Sequence, residues 1–82
     1  DQKLEAFPNP VHDQMQIKVP ASMQGDLVLE IYSAGGLLLK EYKYDQYSSV
    51  IDLKDLDQLK RGIYHLKLIN DEQARSLSFS KL

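Results

Sequence analysis

Apolar and polar residues alternate with a period of two along most of this chain, and no other feature constrains its fold as tightly. Met15, Ile17 and Val19 alternate with Gln14, Gln16 and Lys18, which predicts a strand with one apolar face and one wet face. Residues 27–32 repeat the pattern, with Leu27, Leu29 and Ile31 opposite Val28, Glu30 and Tyr32. Tyr64, Leu66 and Leu68 alternate with His65 and Lys67, and Leu77 and Phe79 alternate with Ser76, Ser78 and Ser80. Val50, Ile51 and Leu53 mark a further strand. Gly35-Gly36 predicts a hairpin turn, with residues 37–44 as the returning strand. Asn70-Asp71 predicts another turn, in which Asn can take positive φ at little cost. Helical spacing occurs only at Leu53, Leu56 and Leu59, which predicts one short helical turn within residues 52–61, ended by Gly62.

Six or seven short strands separated by turns every ~8–12 residues describe an all-β sandwich. Parallel pairing would need helical crossovers that this pattern lacks, so the sheets are expected to be antiparallel. The 82 residues suit one domain, 1–82, with residues 1–6 read as linker or as first strand. A chain of this size buries little more than ~60% of its unfolded surface. Its core is therefore thin, without space for a deep catalytic cleft.

Charge and composition narrow the function. A net charge of −2 and a pI near 5.5 offer no basic field for a phosphate backbone, so no nucleic acid is expected as partner. With no cysteine, the chain has no disulfide, no thiolate metal site and no thiol nucleophile. Its tightest apolar run is Leu37-Leu38-Leu39, far short of the ~18 residues that span a bilayer. No signal-peptide pattern is visible at the N-terminus, and the first residue is Asp1. We therefore expect a piece of a longer protein whose export signal lies upstream.

The reactive side chains are sparse. His12 falls in a loop and His65 in mid-strand, and Ser33, Ser48, Ser49, Ser76, Ser78 and Ser80 all occupy ordinary strand or turn contexts. No nucleophile–base–acid set follows from their spacing, so the reading is not an enzyme and no catalytic residue or cofactor is assigned. Asp52, Asp55 and Asp57 could suggest Ca²⁺, but the Asp-x-Asp-x-Asp-Gly loop with its distal Glu is missing. Asp52 and Asp55 instead suit caps of the helical turn, and no metal site is assigned. Tyr32, Tyr42, Tyr44 and Tyr47 cluster around one hairpin. If they shared one face they could stack on sugar rings, which gives the alternative of a carbohydrate-binding or adhesive module at the cell surface. The plainer explanation is that aromatic residues favour strands and cross-strand pairs.

The most distinctive stretch is Phe7-Pro8-Asn9-Pro10. Its two prolines fix φ and remove two N–H donors, so the chain must leave any sheet there. Further on come residues 29–36, ending in Gly35-Gly36, then Ile51-Asp52-Leu53, then Leu59-Lys60-Arg61-Gly62-Ile63-Tyr64, and last Phe79-Ser80-Lys81-Leu82. In this order the elements resemble the C-terminal sorting domain of the type IX secretion system, the Por secretion tail of Bacteroidota. The chain departs from that pattern at Leu37, where a polar or basic residue is usual, at residues 55–58, which look inserted, and at Leu77-Ser78, where a basic pair is common.

The resemblance implies an immunoglobulin-like sandwich of about seven strands. It implies a sorting signal for a larger, covalently attached N-terminal cargo, which crosses the periplasm and is then secreted or held at the cell surface at the outer membrane. The implied partners are the type IX translocon and a sortase-like peptidase that removes the domain. The motif residues it marks are Phe7, Pro8, Asn9, Pro10, Gly36, Gly62, Tyr64, Phe79, Lys81 and Leu82. Among them, Gly62 and Tyr64 are expected to act through stability, with Tyr64 filling the core and bonding a loop carbonyl. Phe7 and Phe79 are expected to shape the fold, and Lys81 and Leu82 to act through recognition.

Overall fold

In the computed structural model, which describes residues 3–23, 25–45 and 49–82, the period-two segments form seven strands in two antiparallel sheets. Strands β1 (Glu5–Phe7), β2 (Met15–Lys18) and β5 (Val50–Leu53) make one sheet in the order β1-β2-β5. The other contains β3 (Leu27–Ser33), β4 (Leu38–Tyr44), β6 (Gly62–Ile69) and β7 (Ala74–Lys81), ordered β4-β3-β6-β7. Only β3–β4 and β6–β7 pair as sequence-adjacent hairpins within that sheet, and the connections β2–β3, β4–β5 and β5–β6 cross between sheets. This is the two-layer arrangement of an immunoglobulin-like sandwich. Asp1, Gln2, Tyr47 and Ser48, which entered the sequence reading, lie outside the described residues.

Alternation decides the core. Met15, Ile17, Ile51 and Leu53 face inward from the first sheet, and Leu27, Leu29, Ile31, Leu66, Leu68 and Phe79 face them from the second. Leu4, just before β1, and Ala6 within it extend this layer at the β1 side, and Glu5 and Ala6 belong to the first strand. The predicted helical turn is a single 3₁₀ turn, η1 (Leu56–Gln58), which buries Leu56 fully.

Three local expectations are corrected. Asp55 stands at the N-cap of η1 but makes no side-chain cap bond, and Asp52 lies within β5 opposite Gln16. The Asp55 carboxylate instead accepts hydrogen bonds from Tyr42 Oη at 2.8 Å and Lys40 Nζ at 3.3 Å, tying β4 to the η1 loop. A 3₁₀ turn of three residues has little dipole to reward a cap, and two donors stand within reach. Asn70 does form a turn, but among the described residues no non-glycine residue has positive φ. Its Oδ1 accepts the Glu72 and Gln73 N–H groups at 3.0 and 2.7 Å, a side-chain turn that leaves the backbone unstrained. Finally, the returning strand begins at Leu38 and carries a bulge. Ile31 pairs with Lys40 but Tyr32 with Leu38, leaving Leu39 unmatched.

Candidate functional site

The three motif segments that are far apart in sequence meet at one end of the four-stranded sheet. Strand β6 starts there and β7 ends there, with Gly62 opposite Lys81 and Tyr64 opposite Phe79. The Tyr64 and Phe79 rings stack with centroids 5.7 Å apart. Phe79 is fully buried, and Tyr64 is buried beside it. The Tyr64 hydroxyl donates to the Lys60 carbonyl at 2.6 Å, bridging back across Gly62. A tyrosine near the start of the sixth strand, bonded to backbone a few residues upstream, is the corner that locks the inter-sheet crossing in immunoglobulin-like domains. Gly62 has φ +153°, a conformation closed to residues with a Cβ, although nothing lies within 4 Å of where that Cβ would sit. Its requirement is backbone conformation, not space.

The segment of residues 9–11 lies against the outer edge of β7 as a strap. Val11 N–H donates to the Ser80 carbonyl at 2.8 Å, and Leu82 N–H donates to the Val11 carbonyl at 2.9 Å. Asn9 Oδ1 accepts the Ser80 N–H at 3.0 Å. Val11 and Lys81 form a parallel bridge, and the Val11 side chain is completely buried. Pro8 and Pro10 hold the chain out of a regular ladder, and the asparagine between them accepts the Ser80 N–H with its side-chain oxygen rather than with a backbone carbonyl. Sequence reasoning missed the strap and missed Val11. The available signal was an Asn fixed between two prolines, with an apolar residue directly after.

The remaining motif residues are distributed unequally. Lys81 is buried, 8% exposed, with Nζ donating to the Leu82 oxygen at 2.8 Å, whereas Leu82 is 52% exposed. Of the two terminal side chains assigned to recognition, only Leu82 is presented to solvent. Phe7 is 45% exposed and, with Pro8, Gln14, Gln16 and Asp52, lines a shallow surface pocket of about 260 Å³ on the outer face of the first sheet. Gly36 completes the β3–β4 turn at the same end as Gly62, since Ser33 at the end of β3 pairs with Tyr64. There Gly36 adopts φ +96°, its N–H donates to the Ser33 carbonyl at 3.0 Å, and the Ser33 N–H donates to the Leu37 carbonyl at 2.9 Å. This three-residue loop needs a residue in the left-handed region before the strand resumes.

The side chains considered for chemistry do not assemble. His65 and Ser78 meet at 2.9 Å on the exposed face of β6 and β7, opposite one another in register, and among the described residues neither side chain bonds a carboxylate. Among the described residues no group of three or more His, Asp or Glu side chains could hold a metal ion, and no helix is long and apolar enough to cross a membrane. The tyrosines are split by parity. Tyr42 and Tyr44 face the core and are half-buried, whereas Tyr32 points outward and donates to Glu30 Oε1 at 2.6 Å. Desolvation and the bond to Asp55 push the Tyr42 hydroxyl pKa far above its ordinary value, and the bond to Tyr42 holds Asp55 below the usual carboxylate range. These are the marks of a structural clasp between β4 and η1, and the described tyrosines form no shared sugar platform.

The family model of the secretion system C-terminal sorting domain matches residues 5–80, from the first residue of β1 almost to the end of β7. The chain belongs to this family. No curated protein matches the chain. Members of the sorting-domain family are the C-terminal signals for type IX secretion, so this sorting domain directs a secreted or cell-surface cargo, and its family is not one of enzymes. The reading as a carbohydrate-binding module is not favoured. The strap, the corner and the aromatic pair all lie within the matched region, apart from the last two residues.

Proposed function

We propose that this sorting domain sits on the C-terminal side of its cargo, accompanies it through the periplasm, and is received by the type IX translocon at the outer membrane. A sortase-like peptidase then removes the domain, and the cargo is secreted or retained at the cell surface. The peptidase supplies the chemistry, and the domain supplies a folded address. The observation that carries this reading is the joining of Asn9 and Val11 to Ser80 and Leu82 beside Gly62 and Tyr64. A fold whose motif segments converge at one end offers a single surface to a receptor, in which the ten motif residues either build the surface or stand on it.

The test is a fluorescent reporter with this chain fused to its C-terminus, expressed with a periplasmic export signal in a type IX-competent cell. The fusion is expected in the medium or on the surface, and the reporter alone in the periplasm. Equal distribution of the two would overturn the reading.

A further inference from the structure

The sandwich has four sheet edges, and three of them are short or broken by a bulge. Strand β1 has three residues and β5 has four, too short to template a long partner. On β4 the Ser33–Leu37 bond and strand alternation place Glu41 and Lys43 with their backbone groups outward, and the bulge at Leu39 twists the edge. Strand β7 is different. It runs for eight residues without a register shift, and Ser80 N–H and C=O point away from β6, since the strap takes both. By alternation the N–H and C=O groups of Ser76 and Ser78 point the same way. Among the described residues nothing bonds these four groups, and the strap stops at Ser80. The outer-face side chains along this stretch, Ala74, Ser76 and Ser78, are small, exposed and uncharged, while Arg75 and Leu77 are half-buried on the inner side and the Arg75 guanidinium donates to the Ala74 carbonyl at 3.2 Å.

We propose that the edge of β7 over residues 76–78 is a docking edge, on which an extended segment of the receiving export machinery adds as a fifth strand beyond the strap. The proposal rests on the sorting function argued above. The strap already demonstrates that this edge accepts a parallel segment through backbone bonds. The small outer side chains leave room for bulky residues on the incoming strand, and its inward residue, placed over Leu77, is apolar. Backbone bonds hold such a partner and alternate side chains select it.

Proline at an outward edge position removes a donor the fold does not use, so Ser76→Pro separates docking from folding. In the reporter fusion, Ser76→Pro is expected to reduce export at least tenfold while its melting temperature stays within ~4 °C of the parent. Lys43→Pro, the matching change on the β4 edge, is expected to export normally. Ser76→Glu provides the same test if the proline variant does not fold, since an edge charge opposes strand addition and a carboxylate there faces Lys67 of β6 without repulsion. Parent-level export of a folded Ser76→Pro, or of Ser76→Glu where the proline variant fails to fold, overturns the proposal. So does equal loss in Ser76→Pro and Lys43→Pro. A dimer of the isolated chain, seen by sedimentation and abolished by Ser76→Pro, also overturns it by assigning the edge to a second copy. Failure of the parent fusion to leave the cell is a separate result that removes the sorting function itself.

Discussion

Replacing Tyr64 with phenylalanine removes one oxygen and leaves the rest of the corner in place. The ring stays against Phe79, and the buried apolar surface is unchanged. What is lost is the 2.6 Å bond to the Lys60 carbonyl, which ties the loop before β6 back to the strand. A hydrogen bond of this kind contributes a net ~0.5–1.5 kcal/mol. Lys60 is exposed, so water can reach its carbonyl, and the larger penalty for a stranded buried acceptor does not apply. The expected loss is therefore about 1 kcal/mol. For a domain of this size that is a fall of ~4–8 °C in melting temperature. In urea, with a slope near ~1 kcal/mol per molar, the midpoint should fall by roughly 1 M. The slope itself should not change, because the surface exposed on unfolding is the same. An unchanged midpoint would show that the bond adds nothing and that the tyrosine is kept only for its ring. A loss above ~3 kcal/mol would show that the ring had repacked, and the additive reasoning would fail either way.

Gly62→Ala and Gly62→Val should each cost ~1–3 kcal/mol, because the penalty is backbone strain at a position with open space around it. Both should also reduce export of a fused cargo, and lost export with unchanged melting would contradict a structural role. Deleting residues 80–82 looks mild from sequence, but it removes the three strap bonds and the Lys81 pairing, a loss of roughly 2–4 kcal/mol measurable by denaturation. Leu82→Asp is the cleaner probe of recognition. An exposed side chain there should alter stability by less than ~0.5 kcal/mol, so periplasmic retention of the reporter would reflect recognition, and normal export would rule that role out. The Asp55 clasp gives a pH signature: its folded pKa lies below the unfolded 3.8, so its contribution is present above that value and is lost as pH falls through the folded pKa. Tyr42 is raised from 10.0, so its contribution is present below pH 10 and is lost as pH rises beyond it. Tyr42→Phe should flatten both limbs of a stability–pH curve, and an unchanged acid limb would show that the clasp is not formed in solution.

Much of the fold was legible because alternation is a local property. Met15, Ile17, Leu29, Leu66 and Phe79 were read as inward from their neighbours alone, and all are buried. The Gly35-Gly36 turn and the short turn around Leu56 were legible for the same reason. The apolar run at residues 37–39 was a poorer guide. A bulge and an edge position leave Leu37, Leu38 and Leu39 exposed at 67%, 45% and 40%, although no stretch of the chain is more apolar. The plainer reading of the tyrosine cluster, strand packing, agrees with Tyr42 and Tyr44 lying against the core, and closeness in sequence does not put Tyr32 and Tyr42 on one face.

By itself the sequence determined the two-layer β architecture, the family and the absence of cysteine, since period, motif order and composition are written along the chain. Only the tertiary structure decided that Asn9 and Val11 bind the end of β7, that Lys81 is enclosed while Leu82 is offered to solvent, and that one long edge stays partly open. Those outcomes depend on which strand ends up beside which. Hydrogen bonds between residues 71 apart in the chain, such as Asn9 to Ser80, leave no local periodicity to read.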